Sequence, residues 1–108
     1  MIATCAMCSG GQKITRIGFA NELLFQQITS AYGGLVTLVF YYTTDRMRFA
    51  EIRVNDRLPA MNVTFIAMAR YQHLALLSLL VNLCQGSNTI RISNPNDYTA
   101  DIDRIVVY

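Results

Sequence analysis

From Leu35 to Tyr42 the chain reads Leu-Val-Thr-Leu-Val-Phe-Tyr-Tyr, β-branched and aromatic and apolar on both faces. Such a run predicts a strand at the centre of a layered β structure. Met47 to Asn55 alternates, with Ala50, Ile52 and Val54 set against Phe49, Glu51 and Arg53. That period of two predicts a half-buried strand with its Ala/Ile/Val face inward. Ala60 to Ile66 alternates in the same way, with Met61, Val63 and Phe65 on one side. Asn88 to Ser93 and Asp101 to Tyr108 predict two last strands around the turn-forming Asn94-Pro95-Asn96-Asp97. Ile14 to Gly18 reads as a short strand or strand end. Asn21 to Thr29 reads as a strand although Leu24 and Phe25 would face opposite ways, and a short helix competes there. Tyr32-Gly33-Gly34, Thr43 to Arg46 and Asn55-Asp56-Arg57 are turns.

The segment 67–84 resists this pattern. It is rich in Ala and Leu, the strongest helix formers, and its alternation is poor. Its neighbours all read β, and a lone helix would have no matching layer to pack on. The segment is therefore expected to be a strand. The expected class is all-β.

Composition narrows the function. The 108 residues suffice for one domain with one core, expected to span 1–108. Hydrophobic residues are 53% and charged residues 15%, which excludes disorder. A net charge of +2 without a Lys/Arg cluster gives no footprint for nucleic acid. No apolar run reaches membrane-spanning length. The first residues lack the basic and apolar segments of a secretory signal, so secretion would need a signal on a longer parent chain.

Cys5 and Cys8 form a bare Cys-x-x-Cys with three readings: a redox pair, half a zinc site or a local disulfide. Beyond them only Cys84 and His73 offer soft ligands, whereas zinc takes four. No βαβ pattern supports a thioredoxin-like site. The plainest reading is a surface loop whose cysteines cross-link.

Two stretches carry a resemblance. Gly86 to Arg91 (Gly-Ser-Asn-Thr-Ile-Arg), then Asn94-Pro95, then Asp101 to Ile105 (Asp-Ile-Asp-Arg-Ile) resemble the C-terminal signature of the family 35 and family 6 carbohydrate-binding modules. At the other end, Cys8 to Ile14 (Cys-Ser-Gly-Gly-Gln-Lys-Ile) resembles the start of many such modules. The match is specific at these two ends and loose between them. The family consists of non-catalytic β-sandwich domains of galactose-binding-like type, attached to secreted glycoside hydrolases. The resemblance thus implies a jelly-roll β-sandwich, with or without its first strand, that holds a parent enzyme on polysaccharide in the extracellular space.

Sugar binding needs an aromatic face for C–H patches and fixed polar groups for hydroxyls. By the resemblance, the sugar-stacking aromatic falls on Tyr71. Asn94, whose amide both donates and accepts, is the candidate hydroxyl partner, and Tyr98 a second wall. Arg16 stands where the family often has an aromatic, a departure that leaves it to stack on a pyranose, pair with a uronate or simply be solvated. The resemblance also implies a structural calcium ion near Asp101 and Asp103. Its remaining ligands would be N-terminal glutamates, and the sequence begins past them, which puts the calcium in question. Asp97, Asp101 and Asp103 also admit glycosidase chemistry, but a small sandwich encloses no cleft for it. The competing function is a structural or interaction sandwich that kept the fold and lost the sugar. A thiol-redox protein using Cys5 and Cys8 is a third reading.

Overall fold

The computed structural model describes residues 1–67 and 74–108. Nine strands run in order: β1 Ile2–Thr4, β2 Gln12–Ile14, β3 Leu23–Ser30, β4 Gly34–Thr43, β5 Arg48–Val54, β6 Met61–Phe65, β7 Ala75–Leu83, β8 Gly86–Ser93 and β9 Asp101–Val107. They form a five-stranded sheet, β1-β2-β9-β4-β7, and a four-stranded sheet, β3-β8-β5-β6. Every pairing is antiparallel. The fold is the expected β-sandwich. Ile2–Thr4 adds an edge strand that the pattern of residues did not indicate.

The predicted central strand is central. β4 is paired along both edges, with β7 and with β9. Its Leu38, Phe40 and Tyr42 point inward and are buried. From the facing sheet come Ala50, Ile52, Val63, Phe65, Ile90 and Ile92, on the inward faces that alternation predicts. Phe65 stands edge-on to both Phe40 and Tyr42, at 6.1 and 4.8 Å between ring centres.

The leucine-rich segment is extended where it is described, and residues 68–73 of it lie outside the described residues. Its strand is Ala75–Leu83, while Ala67 and Leu74 lie outside any strand. Nine successive residues pair with β4, from Gly34↔Leu83 to Tyr42↔Ala75, which outweighs helix propensity. Ala75, Val81 and Leu83 are buried and Leu77 and Leu79 half-buried, while Leu76 and Leu80 face outward, 59% and 64% exposed. The apparent lack of alternation came from those two outward leucines.

Bulges explain two other irregular patterns. In β3 the register slips by one residue between Phe25 and Ile28, with Gln27 at φ 57°. Leu23, Phe25 and Ile28 can then all pack on the core. In β9 Arg104 pairs with Tyr41 and Ile102 with Tyr42, leaving Asp103 as the extra residue. Ile102 and Ile105 thereby both reach the core side.

Asn88 closes one end of the sandwich. It is buried, and its amide oxygen accepts from the Cys84 backbone N–H at 2.8 Å and from Asn55 Nδ2 at 2.9 Å. Its Nδ2 donates to the carbonyls of Ile28, Cys84 and Gly86. One side chain thus joins the β7–β8 turn, β3 and the Asn55–Asp56 turn. Those last two residues both hold positive φ, which Asn and Asp tolerate. Asn88→Ala is expected to strand several buried partners and cost on the order of 3 kcal/mol. Urea unfolding checks this; an unchanged midpoint contradicts the role.

Candidate functional site

The opposite end gathers the loops after β2, β4 and β8. The first spans 15–22 and is anchored by Ile17, buried in the core. It is laced to the 94–100 loop by main-chain bonds. Thr99 N–H donates to the Ile17 carbonyl at 2.8 Å, and Phe19 N–H donates to the Asn94 carbonyl at 2.6 Å. Gly18 forms a bridge to Tyr98. At Gly18 φ is 150°, and an added Cβ would lie 2.2 Å from the Asp97 carbonyl oxygen and 2.7 Å from Tyr98 Cα. Only glycine permits backbones to meet this closely.

Arg16 and Phe19 flank this contact with φ of 57° and 52°. Bulky residues rarely adopt the left-handed region, and such positions cluster at functional sites. The conformation turns the Phe19 ring outward, 51% exposed. It meets Tyr98 edge to face, with ring centres 5.0 Å apart and planes at 84°. Beside this pair lies an open cavity of about 250 Å³, lined by Arg16, Tyr98, Thr44, Asp45, Arg48 and Asp101 among others. Arg48 reaches Asp45 at 3.2 Å and Asp97 at 3.4 Å. Burial opposes ionisation of Asp45, but the Arg48 guanidinium outweighs it and holds the carboxyl below its usual range. Among the described residues Arg16 has no ion-pair partner and is exposed.

The structure therefore brings Arg16 and Tyr98 together and adds Phe19, which the sequence reading passed over. Its signal was faint: an aromatic one residue after the glycine, rather than two before it. Asn94 sits nearby but serves the turn. Its Nδ2 donates to the Phe49 carbonyl at 2.9 Å and its Oδ1 accepts from Asn96 N–H at 3.0 Å. One N–H and one lone pair remain for a ligand. It lines a separate depression of about 300 Å³ with Phe49 and Asn62. Tyr71 lies outside the described residues.

The carboxylates near β9 are engaged one by one. Asp97 accepts from the Tyr98 N–H at 2.7 Å. Asp101 pairs with Lys13 at 2.7 Å, and Asp103 takes the Ser9 N–H on both oxygens. Asp101 and Asp103, the expected calcium ligands, thus turn oxygens to the Lys13 ammonium and the Ser9 N–H. Cys5 and Cys8 are joined in a disulfide and buried, which leaves no thiolate there to ligate zinc.

Comparison with known proteins settles the architecture. No protein-family profile matches the sequence, and no curated protein does. Solved structures do. A family 35 carbohydrate-binding module from Clostridium thermocellum superposes with a TM-score of 0.92 at 25% identity, covering 99% of this chain and 85% of that one. The fold is that of a family 35 carbohydrate-binding module. A module of the same family from Cellvibrio japonicus matches at a TM-score of 0.84 and 15% identity, over 100% of this chain and 82% of that one, a likeness of fold alone. An exo-β-1,3-galactanase from Phanerochaete chrysosporium matches at 0.90 and 23% identity, over 100% of this chain but only 26% of the enzyme. The module thus corresponds to a fraction of that enzyme's length. Such modules are non-catalytic. Among the described residues no helix is long and apolar enough to cross a membrane.

Gly18→Ala is expected to drive the module's two loops apart and lower stability by about 1–3 kcal/mol. Urea unfolding and the near-ultraviolet circular dichroism of the aromatic rings check this. An unaltered midpoint and spectrum would contradict the close contact.

Proposed function

We propose that this chain, as one module spanning 1–108, binds carbohydrate without catalysis at its loop end and tethers an appended glycoside hydrolase to polysaccharide. The observation that carries the reading is the ring pair of exposed Phe19 and half-buried Tyr98 beside Arg16, on the loop end of a family 35 sandwich. The rings offer an apolar edge and face to the C–H patches of a pyranose. Arg16 supplies donors in a planar fork for hydroxyls or a uronate. Asn94 contributes its remaining amide N–H, and Tyr71 a further stacking surface. Tethering raises the local concentration of substrate around the partner enzyme, with no new chemistry in the module. The Cys5–Cys8 disulfide suits an oxidising compartment, which supports secretion with the parent chain.

The sugar is best sought among galactosides first, because the galactanase neighbour was crystallised with galactose and with β-1,3-galactotriose. Affinity electrophoresis and titration calorimetry against galactan, xylan, mannan and polyuronate test the reading. Binding to at least one is expected. Phe19→Ala should weaken it by about 1–3 kcal/mol, the scale of an aromatic anchor, and Tyr71→Ala tests the sequence-derived platform separately. A folded sample that binds none of the four would leave the interaction sandwich as the better account.

A further inference from the structure

We propose that the Lys13 ammonium is the resident cation at the corner where the N-terminal hairpin meets β9, and that the module is calcium-independent. The resemblance to family 35 implies a calcium ion beside Asp101 and Asp103; the side chains found there do not fit one.

Lys13 lies in β2, whose Ile14 pairs with Ile102 of β9. Its Nζ reaches Asp101 Oδ2 at 2.7 Å and Thr43 Oγ1 at 2.9 Å. The pair is secluded, with side chains 10% and 18% exposed, and Thr43 is buried. A half-secluded carboxylate needs a positive partner, and here the chain supplies its own. A divalent ion on Asp101 would have to displace an ammonium already in charge-assisted contact, or sit beside it against like-charge repulsion.

Asp103 is committed elsewhere. As the extra residue of the β9 bulge it is turned out of the strand's ordinary alternation. Its side chain is fully buried, and both oxygens accept from the Ser9 N–H, at 3.0 and 3.1 Å. Ser9 follows Cys8 directly, so the carboxylate grips the disulfide-closed loop from the opposite side.

The third wall adds no charge. β1 offers Ile2, Ala3 and Thr4, paired with Ile14, Lys13 and Gln12. Among the described residues no third carboxylate, histidine or cysteine joins the two aspartates. Calcium takes six to eight oxygens at about 2.3–2.6 Å. This corner holds instead the Lys13 ammonium on Asp101 and the Ser9 N–H on Asp103, with the Arg104 guanidinium also 3.4 Å from Asp103 Oδ2.

The test is thermal unfolding of the intact chain in EDTA and in millimolar calcium chloride, with calorimetric titration of calcium. The expected result is one midpoint in both buffers and no saturable heat. A midpoint raised several degrees by calcium, or a saturable binding isotherm, overturns the proposal. Lys13→Met should lower the midpoint by several degrees in both buffers; an unchanged midpoint would remove Lys13 from the role. Lys13→Arg, which keeps a cation on Asp101, should retain most of the midpoint. A loss as large as that of Lys13→Met would overturn the claim that charge is what the corner needs.

Discussion

The loop end of this molecule depends on a contact between two main chains. Gly18 lies so close to the Asp97–Tyr98 peptide that no side chain fits between them. The neighbouring hydrogen bonds, Thr99 to Ile17 and Phe19 to Asn94, hold the same two loops in register. Phe19 and Tyr98 then have one relative placement, and their rings meet at right angles. A binding surface preassembled in this way loses little freedom when a ligand arrives, so more of each contact is left for affinity. The two left-handed residues on either side, Arg16 and Phe19, carry the backbone strain that this placement requires.

The sandwich beneath exists to keep those loops still. β4 is bonded on both edges, and its inward side chains meet those of the facing sheet in one dry core. Burial of that apolar area drives folding, at about 25 cal/mol per Å². The far end is sealed by Asn88, the near end by the two loops, and the N-terminal hairpin by Lys13, Asp103 and the disulfide. Polar groups thus fix the edges of an apolar interior, and the candidate site's loops are carried by rigid strands. Arg48, bound to Asp45 and Asp97, stiffens the floor of the cavity rather than leaving a free charge in it.

Much of the fold could be read from the residues because strands declare themselves by period. β4, β5, β6, β8 and β9 stand close to where alternation or a β-branched run placed them. What the pattern missed has physical causes. β3 and β9 are strands as expected, but the bulge in each was not foreseen, since no local residue type marks a bulge reliably. In the segment 67–84 the described strand, Ala75–Leu83, is extended against its helix propensity because β4 pairs with it along its whole length. β1 is three residues long, too short to show a pattern. The site was less legible than the fold. Tyr98 and Arg16 line one cavity together, but Asn94 spends most of its amide on the turn, and Phe19 was invisible because its exposure follows from backbone dihedrals.

The most direct measurement of the central claim is a backbone-amide NMR titration of the chain with an oligosaccharide that it binds. The account predicts shift changes concentrated in residues 15–22 and 94–100, led by Phe19 and Tyr98. Changes confined to the outer face of the four-stranded sheet, around Phe49, Glu51 and Asn62, with the Gly18 loop silent, would contradict it.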